Sequence, residues 1–212
     1  MKKEKTMNKF VEYYAERPYL AVILIMLALL AVFAVVKAVR AVQKRSREAN
    51  ETVAKLERDT ALRKGFEALT AEKAENAGSG ELFRGVALNL CRKIEKSADI
   101  TKEFDSFSEP QKNIYALYYV LEDGGKKLSD FFKQYGKPLT VYAKTAVDAL
   151  CPQAVSAVFD KMYLACDEDD ETTSYIPSEI EKLNGEYSAA LNENEIFGSA
   201  AKYIKENIEA FI

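Results

Sequence analysis

The sequence predicts an all-α protein in three parts: a single N-terminal transmembrane helix, a helical stalk, and a compact multi-helix C-terminal domain. Three observations carry that prediction. An uncharged apolar run extends from Tyr19 to Val36. Residues 38–77 are rich in Ala, Glu, Lys, Arg and Leu, with no proline and Gly65 as the one glycine. From residue 81 onward, apolar side chains recur at i, i+3 and i+4 between helix-start and helix-stop signals.

Residues 1–18 read as an N-terminal tail and 19–37 as the span. Eighteen residues rising about 1.5 Å each reach roughly 27 Å, close to the ~30 Å hydrocarbon core of a bilayer. Apolar residues fill every face from Leu20 to Val36, so the amphipathic stripe of a surface helix is missing. The run passes straight into Lys37, Arg40, Lys44, Arg45 and Arg47 rather than a small-residue cleavage site, which favours an uncleaved anchor. Bases flank both ends, and the acid-free cluster after the run tips the C-terminal domain towards the cytoplasm. Cys91, Cys151 and Cys166 are odd in number and form no CxxC unit, in keeping with a reducing compartment. The expected location is the cell membrane, single-pass, with the membrane itself as one partner.

Residues 38–80 read as a basic juxtamembrane stalk and linker. Val42, Ala49, Val53, Leu56, Leu62, Phe66 and Leu69 give a broken heptad, which favours a solvated or domain-packed helix over a coiled coil. Gly78-Ser79-Gly80 ends it. In 81–212 six helices are expected. Leu82, Phe83, Val86, Leu90 and Ile94 mark the first, and Ser108-Glu109-Pro110-Gln111 a capping box opening a helix that stops at Gly124-Gly125. A short segment carries Leu128, Phe131 and Phe132. Thr140 and Pro152 open the next two helices, and Ser178 with Glu181 repeats the capping spacing. Asn194 precedes the clearest amphipathic stripe, Ile196 to Phe211.

Charge divides the chain unevenly. Residues 1–47 carry ten bases and three acids, 48–144 sixteen of each, and 145–212 fourteen acids against four bases. The acidic third is thereby available to a basic partner. Histidine is absent, which excludes His-based triads, Cys-His dyads and the common zinc-histidine sites. No P-loop or GxGxxG element occurs. Ser199-Ala200-Ala201-Lys202 has S-x-x-K spacing but lies inside an amphipathic helix without the partner motifs.

The sharpest local feature of the C-terminal domain is Asp167-Glu168-Asp169-Asp170-Glu171. Counted as a calcium loop, it has Thr172 in place of the glycine and Ser178 in place of the final glutamate, so an EF-hand is set aside. A solvated interhelical loop is the plain reading. A docking patch for a basic protein is the functional one, and these five carboxylates are the candidate partner-binding residues. No catalytic residue, cofactor or resident metal is assigned. The leading expectation is a non-catalytic, membrane-anchored protein-interaction module that binds no nucleic acid directly; a carboxylate enzyme using a metal at 167–171 is the reading from another class.

Asp123-Gly124-Gly125-Lys126 after a helix, the aromatic pair Phe131-Phe132, Gly136, an alanine-bearing helix and the ending Tyr203-Ile204-Lys205-Glu206-Asn207-Ile208-Glu209-Ala210-Phe211 form an ordered set. In these features the chain resembles the family of small helical bacterial domains named after a neisserial DNA-mimic protein. The likeness covers about half the chain, with Asp123 and Lys126 where the family has Asn and Phe. It implies a compact helical fold in which Asp123, Gly124, Gly125, Phe131, Phe132, Gly136, Tyr203, Ile204, Asn207 and Phe211 are structural. It also implies an alternative function: a DNA-mimic or immunity-type inhibitor whose acidic face occupies a nucleic-acid-binding partner.

Overall fold

The computed structural model describes residues 18–166 and 176–212. These residues are helical with no strand among them, as the apolar periodicity requires. The chain divides into two compact units, one up to Leu56 and the other Glu57–Ile212.

Helix α1 runs unbroken over Pro18–Gly65, 48 residues. The apolar run is its first part, and the charged sequence that follows continues the same helix. Tyr19, Met26, Leu30 and Phe33 are among its exposed side chains. Among the described residues, no helix is long and apolar enough to cross a membrane. That finding overturns the transmembrane helix at 19–37, and with it the single-pass cell-membrane location. The physical margin was narrow: eighteen residues stand near the short limit of the ~17–25 that a span takes, and they merge into charged helix at Lys37 without a terminus.

In the second unit, α1 ends at Gly65 rather than running on to Ala77. A short α2 (Ala71–Asn76) follows, capped by Thr70, whose hydroxyl accepts from Lys73 N–H at 3.2 Å. Ser79 and Gly80, expected as linker, are instead the first residues of α3 (Ser79–Lys96). Then come α4 (Ile100–Ser106), α5 (Glu109–Gly124), α6 (Leu128–Gln134), α7 (Leu139–Leu150), α8 (Gln153–Ala165), α9 (Pro177–Ala190) and α10 (Glu193–Glu206), closed by a 3-10 turn at Ile208–Ala210. Helix α4 escaped the sequence reading; its signal is Asp99, whose carboxylate caps Lys102 N–H at 3.0 Å.

Helix α5 is the central element and packs on α3, α6, α7 and α10. Its Ile114, Ala116, Leu117 and Val120 are fully buried. Helix α10 lies along α3, burying Ile196, Ala200 and Ile204, while α9 packs on α8. An aromatic chain fills the α4–α8 side: Phe104 edges on Tyr142 at 5.4 Å, Tyr115 on Tyr119 at 4.9 Å, and Phe132 meets Phe159 at 5.2 Å. Such pairs add roughly 0.5–1.5 kcal/mol each beyond their buried area.

Three capping expectations change. The Ser108–Gln111 box is present, with Ser108 N–H donating to Gln111 Oε1 at 2.9 Å. Thr140 instead lies inside α7, buried, because Pro138 opens that helix. Asn192 rather than Asn194 precedes α10. At Ser178, Pro177 supplies the helix start, and Glu181 turns away to meet Lys127 at 3.2 Å.

Candidate functional site

The five acids 167–171 lie outside the described residues. What the structure places is the rest of the acidic third. Glu186 is engaged by Lys161 at 3.6 Å and Lys182 at 3.7 Å, and Glu206 by Lys202 at 3.8 Å. Glu179, Glu193, Glu195 and Glu209 are exposed, and no base pairs with them among the described residues. Glu193 and Glu195 occupy the first turn of α10, where the helix dipole favours negative charge.

The residues that carried the resemblance are spread over α5, α6, α10 and the segments that follow them. Gly124 and Gly125 close α5, and neither has positive φ. Their glycine requirement is close approach: a Cβ at Gly125 would lie 2.4 Å from Leu121 O, and one at Gly124 3.2 Å from Phe131 Cβ. The Asp123 carboxylate accepts from the Tyr135 hydroxyl at 2.8 Å, and burial, reinforced by that carboxylate, raises the tyrosine's pKa. Phe131 and Phe132 are buried on α6, edge to face at 5.2 Å. Gly136 borders a shallow cleft with Tyr163 and Cys166. Ile204 is fully buried, and Asn207 donates to Tyr203 O at 2.9 Å. The Tyr203 hydroxyl accepts from Asn113 Nδ2 at 3.1 Å, leaving the buried Asn113 Oδ1 without a partner among the described residues, beside an open void of about 230 Å³.

Phe211 has a further role that sequence reasoning missed. It forms one wall of a cleft of about 160 Å³ between the end of α1, α3 and the start of α5. The floor is apolar: Phe66, Leu69, Val86 and Leu90 are all buried. The rim is basic, from Arg63, Arg92, Lys93 and Lys96, with Glu67 as the one acid. Two side-chain amides brace it. Asn89 Nδ2 donates to Arg63 O at 3.1 Å and to Gly85 O at 3.0 Å, fixing α1 on α3. Gln111 Nε2 donates to Ala210 O at 2.7 Å, holding the C-terminal turn and hence Phe211 in place. Arg92 is partnered by Glu95 at 3.0 Å, whereas Arg63, Lys93 and Lys96 meet no carboxylate among the described residues. The sequence signal for this rim was faint: Arg92, Lys93 and Lys96 are close in the chain, but Arg63 and Phe211 join them only through the fold.

The thiols are poor nucleophiles. Desolvation pushes Cys91 and Cys151 up to about 12, and burial also raises Cys166. Among the described residues, no group of three or more Cys, Asp or Glu is placed to hold a metal ion. Comparisons with family models, with curated proteins and with solved structures give no match to this chain.

Proposed function

We propose that residues 57–212 act as a non-catalytic protein-interaction module whose acidic C-terminal helices dock a basic partner. The supporting observation is the set of exposed, unpaired carboxylates Glu179, Glu193, Glu195 and Glu209 in a region where neighbouring acids are already matched to lysines. Unmatched surface charge steers encounter with the opposite sign and falls away with salt, so it favours association over chemistry.

The test is cross-linked capture with the full chain and with the E179Q/E193Q/E195Q/E209Q variant. A partner recovered by the native chain, depleted by the variant and released by raised salt supports the reading. Equal recovery by both chains refutes it. Assaying the recovered partner for nucleic-acid binding then separates general docking from DNA mimicry.

A further inference from the structure

We propose that the cleft walled by Phe211 binds a small amphipathic carboxylate, an acid with an apolar body of about six to eight carbons. The argument is independent of the acidic-face reading, because it rests on a surface of opposite sign. Residues 57–212 hold 28 Asp and Glu against 19 Lys and Arg, so the average field of this region repels anions. Four of those bases nevertheless border one cleft with a single acid, and Arg63, Lys93 and Lys96 are without an ion-pair partner among the described residues.

The ligand class follows from the lining. The floor of Phe66, Leu69, Val86 and Leu90 offers no hydrogen-bonding side chain, so the inserted body must be apolar. Its capacity is comparable with the ~150 Å³ of an apolar cavity that admits benzene, which sets the carbon count. The two amides at the cleft are committed, Asn89 Nδ2 and both ends of Gln111 being engaged with the chain itself. Charged donors at the rim are therefore what remain for a polar head, and they suit a carboxylate. Gln111 holds Ala210 and Phe211 packs on the core, so the cleft is formed in the chain before any ligand arrives.

Calorimetric titration of the full chain with octanoate, octanamide and acetate tests the proposal. Octanoate supplies both head and body, octanamide the body alone and acetate the head alone. The expected result is saturable octanoate binding at least about tenfold tighter than octanamide, with no saturable response to acetate. In R63Q/K93Q/K96Q, with Lys93 and Lys96 exposed and Arg63 half-buried, octanoate binding should weaken about five- to tenfold while octanamide binding and the helical circular-dichroism spectrum stay unchanged. Equal affinity for octanoate and octanamide would overturn the proposal, as would a triple variant that binds octanoate like the native chain. No saturation by octanoate, with saturation by an acidic peptide or by a second copy of the chain, would overturn it in favour of a macromolecular occupant.

Discussion

The Phe66 ring lies directly over the Cα of Gly85, so close that a Cβ there would stand 2.2 Å from Phe66 Cδ2. Phe66 is the first residue after α1 and Gly85 faces it from α3, so within the second unit this contact fixes the end of α1 on α3. Gly85→Ala would gain about 1 kcal/mol in helix propensity but force the ring outwards, and overpacking costs roughly 1–3 kcal/mol. A net loss of about 1 kcal/mol is expected, read as a fall of roughly 2–4 °C in Tm for a domain of this size. In a Phe66→Ala background the same change should become nearly neutral. Thermal melts of the four chains complete the cycle; an equal penalty in both backgrounds would show that the ring is not the cause.

Much of this core was legible because helix periodicity is a local property. Leu82, Phe83, Val86, Leu90 and Ile94 on α3, and Ile196, Ala200 and Ile204 on α10, are buried as their spacing predicts. The glycines at 124 and 125 were also visible as a helix stop, and close approach to Leu121 O and Phe131 accounts for them, neither having positive φ. Local pattern fails where the fold joins distant residues. Gln111 reaches Ala210 across 99 positions, and nothing in the spacing of Arg63, Lys96 and Phe211 announces a shared cleft. The apolar run misled because composition measures hydrophobicity without showing where a helix ends, and α1 continues to Gly65.

Tyr187 is fully buried on α9, and its hydroxyl has no hydrogen-bond partner among the described residues. An unmet buried hydroxyl costs about 1–3 kcal/mol relative to water, while the ring contributes packing. Tyr187→Phe should therefore stabilise the chain by about 1 kcal/mol, measured by urea unfolding with an unchanged m-value. A destabilised variant would mean that the hydroxyl is satisfied in solution.

The cysteines should differ sharply in reactivity. With Cys91 and Cys151 pushed up to about 12 by desolvation, the thiolate fraction at pH 8 falls roughly a thousandfold below that of a free cysteine. Cys151 and Cys166 are both partly exposed, but at Cys166, at the end of α8, Lys133 counters the rise that burial causes. Iodoacetamide on the folded chain should modify Cys166 first, with Cys91 and Cys151 reacting only in denaturant. Peptide mapping by mass spectrometry checks the order, and early labelling of Cys91 would contradict it.

Lys144 clamps α7 to α8, donating to Asp148 at 3.0 Å and to Asp160 at 2.6 Å, while the Ser156 hydroxyl donates to the other oxygen of Asp148. Partial burial pushes the Asp148 carboxyl up, but the Ser156 and Lys144 hydrogen bonds outweigh it and hold the pKa below its ordinary 3.8. The hydrogen bonds that Lys144 donates to Asp160 and Asp148 raise its pKa above 10.5. A lowered carboxylate pKa contributes stability that is present above the unfolded value and lost as pH falls through the folded one. The aspartate's contribution should thus be intact at neutral pH and disappear below about pH 3.8. The raised lysine contributes fully below pH 10.5 and loses its share as pH rises beyond that. Both side chains are about two-fifths exposed, so the effect belongs with exposed pairs, about 0.2–1 kcal/mol. Asp148→Asn should lower stability at pH 7 by that amount and flatten the acid limb, so that the two chains converge as the pH falls below 3.8. Urea midpoints from pH 2.5 to 7 measure it, and parallel curves over that range would exclude the clamp as a source of stability.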